Sequence, residues 1–284
     1  MSSKLAKLSL SLVLFSQIIF GQWNKGEGNG YYKLAASSLV ADEHYTSAKE
    51  KDPNITRGNF IISAYGEYGL TDKFDLVAYL PLLSRVYQNK QISGTTGAVI
   101  QEGESVNSIG DIDLGVRYGI FKNDQLALSA TLKLGLPTGK KNGGTDGSLQ
   151  TGDGEFNQLI QLDLGIPFKI GNQNSYAKVY SGFNNRTNGF SDEFHFGGEI
   201  GTKIQDKLFV AAKFSNVRSF NNGDNNSTGQ GIFANNVEFT NLGGELAYYI
   251  SKSFGVMVNY TAILSGKITY AAPTYTGGLF LDFQ

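Results

Sequence analysis

The side chains able to do chemistry are few and far apart. His44 and His195 are the only histidines, and there is no cysteine among the 284 residues. Two histidines are too few for a histidine-rich metal site. The missing thiols exclude disulfides, thiolate metal sites, a cysteine nucleophile and a lipidated N-terminal cysteine. Two glycine-rich stretches, Gly143-Gly144-Thr145-Asp146-Gly147 and Thr151-Gly152-Asp153-Gly154, have the composition of a phosphate or calcium loop. Neither carries the P-loop pattern or the acidic spacing of an EF-hand, so both read as solvated external loops, as does the polar run 221–227. His195 with a serine would suit a lipid hydrolase, yet no Gly-x-Ser-x-Gly context and no identifiable Asp or Asn orienter accompany it. The chain is therefore read as not an enzyme, with no cofactor and no metal.

What remains is a series of charges set at alternate positions. Lys33, Glu67, Asp111, Asp113, Arg117, Lys133, Asp163, Lys178, Glu199, Lys203, Lys213, Glu245 and Asp282 fall on the polar face of the alternation, with frequent Gly and Ser around them. Residues of this kind on one side of a sheet are pore-lining candidates if the sheet encloses a lumen. Their meaning depends on the elements that hold them.

Those elements repeat the stretch 108–140. Ile112, Leu114, Val116, Tyr118 and Ile120 alternate with Asp113, Gly115, Arg117 and Gly119. After the polar turn Lys122-Asn123-Asp124, Leu128, Ala130, Leu132, Leu134 and Leu136 alternate with Ser129, Thr131, Lys133 and Gly135. That period of two makes a hairpin with one apolar and one polar face. The pattern predicts twelve strands, near 31–40, 58–70, 74–87, the hairpin pair, 155–168, 175–187, 193–204, 208–220, 237–250, 254–269 and 274–283. In a soluble protein a second layer would have to cover the apolar faces, and no helical periodicity supplies one. Lipid can cover them instead, provided the sheet closes so that no edge stays unpaired. An all-β transmembrane antiparallel barrel over 22–284 follows.

Connection lengths orient it. Links after even-numbered strands are short, including Thr71-Asp72-Lys73, Gln205-Asp206-Lys207 and Ser251-Lys252-Ser253. Those after odd-numbered strands are mostly long and polar, at 41–57, 88–107, 138–154 and 221–236. Short periplasmic turns and longer external loops are the rule for bacterial outer-membrane barrels. Both termini then lie on the periplasmic side. Tyr68, Phe74, Tyr118, Phe121, Phe168, Tyr176, Tyr248, Tyr249 and Phe254 cluster near the short turns and read as a periplasmic aromatic girdle.

At the N-terminus Lys4 and Lys7 precede an apolar stretch, 8–20, that ends at Gly21. It is too short and serine-rich to span a bilayer, and it reads as a cleaved secretory signal over 1–21 with Gln22 as first mature residue. The formal charge is −1, and loss of Lys4 and Lys7 takes it to −3. Neither value points to nucleic acid. The expected location is the outer membrane of a Gram-negative bacterium. The expected partners are outer-membrane lipid, the barrel-assembly machinery and a small solute.

The run Ile109-Gly110-Asp111-Ile112-Asp113-Leu114-Gly115 with Tyr118, then Lys133-Leu134-Gly135-Leu136-Pro137-Thr138-Gly139, resembles the outer-membrane family named for the meta-pathway of phenol degradation. Tyr65-Gly66-Glu67-Tyr68-Gly69-Leu70-Thr71-Asp72 followed by Leu80-Pro81 is similar to that family too. The resemblance implies an outer-membrane channel or transporter for passive uptake of small solutes, hydrophobic or aromatic ones included. The chain departs from typical barrels by ending on Phe283-Gln284 instead of the aromatic residue. Beside the channel stand two other readings, a non-conducting scaffold or adhesion barrel and, less favoured, an outer-membrane lipid hydrolase. A barrel of twelve strands falls between small filled barrels and wide porins, so the inward charges either bracket an aqueous path or pair into a closed network.

Overall fold

Alternation and short polar turns leave the backbone one way to satisfy its hydrogen bonds: with the strand before and the strand after. A computed structural model describes residues 24–53, 56–224 and 233–283. The expected leader at 1–21, and Gln22 with it, lie outside the described residues. The wall strands are β1 (Gly30–Ala41), β2 (Arg57–Gly69), β3 (Phe74–Gln88), β4 (Ile112–Lys122), β5 (Ala127–Leu136) and β6 (Asn157–Ile170). They continue with β7 (Gln173–Arg186), β8 (Glu193–Ile204), β9 (Leu208–Ser219), β10 (Glu238–Tyr249), β11 (Phe254–Lys267) and β12 (Thr274–Phe283).

Each strand pairs antiparallel with the next, and β12 pairs with β1 from Phe283↔Gly30 to Thr274↔Leu39, which closes the sheet. Among the twelve wall strands each is paired on both sides, so the barrel wall itself presents no open edge. Alternation then sorts side chains between outside and inside. Ile160, Leu162, Val179, Val258 and Leu279 face outward and are 47–60% exposed. Asp163, Arg117 and Glu67 face inward and are 1–4% exposed. A wall with its aliphatic residues outside and its charges inside is stable only if hydrocarbon surrounds it.

One stretch of wall departs from the regular ladder. β3 pairs with β4 from Phe74↔Tyr118 to Tyr79↔Asp113, then with a separate segment, Glu104–Ser108, from Ser84 to Gln88. Between these runs Pro81 has no N–H to offer, and the Gly110 N–H bridges the break by donating to the Pro81 carbonyl at 2.9 Å. Gly110 thus sits at the break between the two runs of the ladder.

Two expectations are corrected. Tyr176 and Tyr249 were expected in the outward girdle, but both are buried inside the barrel. Tyr248 and Tyr249 are adjacent, and pleating forces neighbours to opposite faces. Tyr68, Phe74, Tyr118, Phe121 and Tyr248 do face outward near the short turns. The loop 138–154 is also more than a solvated excursion. Leu149 and Thr151 are buried, the Thr151 hydroxyl donates to the Ile109 carbonyl at 2.9 Å, and Arg57 donates to the Ser148 hydroxyl at 2.9 Å. Those contacts fold the loop back over β4 and β3 toward the rim of β2.

Candidate functional site

Inward residues recur at every second position, so each strand carries a ladder of inward side chains, many of them polar, with an apolar cluster of Ala127, Tyr176, Phe209, Ala247, Met257 and Phe280 near the short turns. Down β8 the ladder reads Glu193, His195, Gly197, Glu199, Gly201 and Lys203. Small residues between the long ones leave room, and three cavities fill it. One of about 300 Å³ lies toward the short-turn end among Tyr31, Lys33, Glu67, Lys178, Lys213 and Glu245. A second of about 390 Å³ lies at mid-height and shares Lys178, Glu199 and Lys213 with the first. The third, about 240 Å³ and nearer the long loops, shares Lys133, Leu159 and His195 with the second. Shared lining residues make the three adjoin in order along the barrel.

Most of the lining charges are held in pairs. Arg117 lies 3.1 Å from Glu67 and 3.4 Å from Asp75. Lys213 sits between Glu245 at 2.8 Å and Glu199 at 3.4 Å, and the Tyr176 hydroxyl also donates to Glu199. Lys133 reaches Asp113 at 2.9 Å, diagonally across to β4, where Gly115 is its direct partner and Asp113 lies opposite Gly135. Nearer the long loops Arg186 holds Asp153, Glu155 and Glu193 at 2.7–3.0 Å. Charge-assisted bonds in a site of reduced dielectric fix side-chain positions, and loss of either partner leaves a charge stranded.

Lys33, Glu67, Asp113, Lys133, Lys178, Glu199, Lys213 and Glu245 line one or more of the cavities. Arg117, Asp163 and Lys203 face inward but border none of the three. Arg117 is enclosed by its carboxylates, Asp163 accepts from the Gln161 amide at 2.9 and 3.0 Å, and the Lys203 ammonium lies 3.8 Å from the centre of the Tyr249 ring. Asp282 accepts from the Tyr249 hydroxyl at 2.9 Å. Asp111 corrects the expectation: it precedes β4 and fastens loop 138–154 by accepting the N–H groups of Gly139 and Asp153, at 2.8 and 2.9 Å. The break beside Pro81 takes it out of the ladder. Burial pushes its carboxyl up to about 6, against the pull of those two amides.

Other residues take part that the alternation reading did not single out. Asp75 is fully buried and follows the inward parity of β3, so it was available to that reading. Lys25 was not, because it precedes the first strand. Its backbone N–H donates to Asp75 at 3.0 Å and its ammonium lies 3.3 Å from Glu67, which brings the segment before β1 back into the short-turn mouth. Aromatic rings crowd the same end, with Phe280 stacked on Tyr31 at 5.9 Å and edge-on to Tyr249 at 4.8 Å. His195 bonds Glu193 at 2.8 Å, and among the described residues no serine hydroxyl hydrogen-bonds it.

No protein-family model and no curated protein matches the sequence. Among solved structures the chain is similar to the COG4313 outer membrane channel from Pseudomonas putida F1, with a TM-score of 0.64 and 14% identity over 94% of this chain and 100% of that one. It is also similar to the translocator domain of the autotransporter NalP from Neisseria meningitidis, with a TM-score of 0.50 and 9% identity over 91% and 89% of the two chains. At such identities the likeness establishes the fold, that of an outer-membrane β-barrel.

Proposed function

We propose that the chain is a passive outer-membrane channel for small solutes, of the kind its motifs resemble in the family of the meta-pathway of phenol degradation. The observation that carries this reading is the row of three adjoining cavities, lined by charges and rings together. In this account a solute moves down its gradient from one cavity to the next. Paired charges offer it hydrogen bonds without a deep electrostatic trap, and Tyr31, Tyr176, Phe209 and Phe280 offer apolar faces near the periplasmic end. Hydrophobic and aromatic solutes suit that mixture. The chain reaches its place after loss of 1–21 and insertion by the barrel-assembly machinery, with outer-membrane lipid as its solvent.

The aromatic crowding at the short-turn mouth favours a second reading, a non-conducting scaffold whose external loops bind a partner. Uptake of a solute panel by proteoliposomes separates the two. A channel admits small solutes at rates that scale with protein load, whereas a scaffold leaves the vesicles as tight as protein-free ones.

A further inference from the structure

We infer that the lumen contains a binding site for a small organic anion, centred on the ammonium groups of Lys33 and Lys178. The inference rests on the channel reading only for the route by which such a ligand arrives. The periplasmic-side cavity is lined by four lysines, Lys25, Lys33, Lys178 and Lys213, against three glutamates. Those glutamates are already engaged. Glu67 is held by Arg117, Lys25 and the Tyr65 hydroxyl, and Glu199 and Glu245 are both held by Lys213. Asp163, the other carboxylate facing Lys178, accepts from Gln161.

Two ammonium groups stand near these carboxylates without touching them, Lys178 being opposite Glu199 across the β7–β8 pair. Among the described residues neither Lys33 nor Lys178 makes a hydrogen bond or an ion pair; each lies 5.7 Å from a tyrosine ring centre, Lys33 over Tyr65 and Lys178 over Tyr180. Lys178 is only 6% exposed and borders both this cavity and the one at mid-height. A buried ammonium has three donors to satisfy and a desolvation cost to offset, and an exchangeable anion does both. A carboxylate offers two acceptor oxygens, and a cavity of about 300 Å³ flanked by tyrosines leaves room for a compact apolar body behind it. The ligand class is therefore a small carboxylate with a flat or short apolar portion.

Calorimetric titration of the full mature protein in detergent, with benzoate and its neutral match benzamide, tests this. Benzoate is expected to bind about tenfold more tightly than benzamide, and the Lys33→Gln/Lys178→Gln double variant to lose that preference with its benzamide affinity unchanged. Lys178→Arg, which keeps the charge, retains most of the preference. Equal binding of the two probes by the unmodified protein, or an undiminished preference in the double variant, overturns the site. If the double variant does not fold, as judged by loss of heat-modifiable migration, the unmodified protein decides: its preference must shrink as salt rises from about 0.1 M to about 1 M, and a salt-independent preference overturns the site. Benzoate binding without conductance would sink the channel and leave the site; conductance without benzoate preference would do the reverse.

Discussion

The Arg117 guanidinium on β4 lies 3.1 Å from the Glu67 carboxylate on β2, reaching past the strand between them, and both side chains are buried. Asp75, on that intervening strand, completes the cluster at 3.4 Å. Arg117→Gln would leave two buried carboxylates with the Lys25 ammonium, 3.3 Å from Glu67, as the cation beside them. Loss of one partner from such a group costs about 3–5 kcal/mol. Denaturant unfolding in micelles should show that loss for Arg117→Gln and almost none for Lys122→Gln, whose side chain is exposed.

Lys133 differs from Arg117 in what it can report. It is a third exposed, borders two cavities and holds Asp113 at 2.9 Å. Lys133→Glu places two carboxylates side by side on the path. Under a salt gradient the reversal potential of a conducting barrel should move toward cation selectivity, and the barrel should still fold. An unmoved reversal potential would remove Lys133 from the path. Arg117, held by Glu67 and Asp75 and bordering none of the three cavities, is expected to report on stability instead.

Asp111 makes the outer loop pH-dependent. It lies outside the wall strands, and its neighbours there are the amides of Gly139 and Asp153 and the Asp153 carboxylate, whose own charge is held by Arg186 at 3.0 Å. Its folded-state pKa of about 6 stands above the ordinary aspartate value, so the folded form binds the proton more tightly than the unfolded chain does. The stability this site contributes is present in full below about pH 4 and is lost as pH rises through about 6. The unfolding midpoint should therefore fall across that window. Asp111→Asn should flatten the dependence, and an identical slope in both proteins would contradict it.

The turn at Gln205-Asp206 is strained. Both residues have positive φ, 48° and 56°, and Lys207 donates to the Ile204 carbonyl at 3.1 Å. That backbone favours Asn-Gly, and side chains bearing a Cβ disfavour it by roughly 1–2 kcal/mol per residue. Asp206→Gly should raise unfolding stability by about 1 kcal/mol, measured in the same micelles. Lower stability would show that Asp206 makes a compensating contact.

Alternation alone revealed the wall, because burial on one face and lipid on the other impose a period of two on every strand. β8 and β12 begin and end where the pattern starts and stops, at Glu193–Ile204 and Thr274–Phe283. The inward parity of Lys33, Glu67 and Lys178 was legible for the same reason. Pairing was not. Whether Arg117 meets Glu67, or Lys213 meets Glu199, depends on register between strands up to 50 residues apart, which one sequence does not specify. Asp111 misled because the break at Pro81 interrupts the ladder while leaving the alternation of β4 intact. Lys25 escaped notice because no periodicity marks a segment that returns into the mouth before the first strand.

Single-channel recording of the mature protein in planar bilayers tests the channel most directly. A channel gives stepwise insertion events of uniform conductance that depend on protein and are absent from detergent-only controls. A folded, heat-modifiable barrel that inserts into liposomes yet passes neither ions nor small solutes would contradict it.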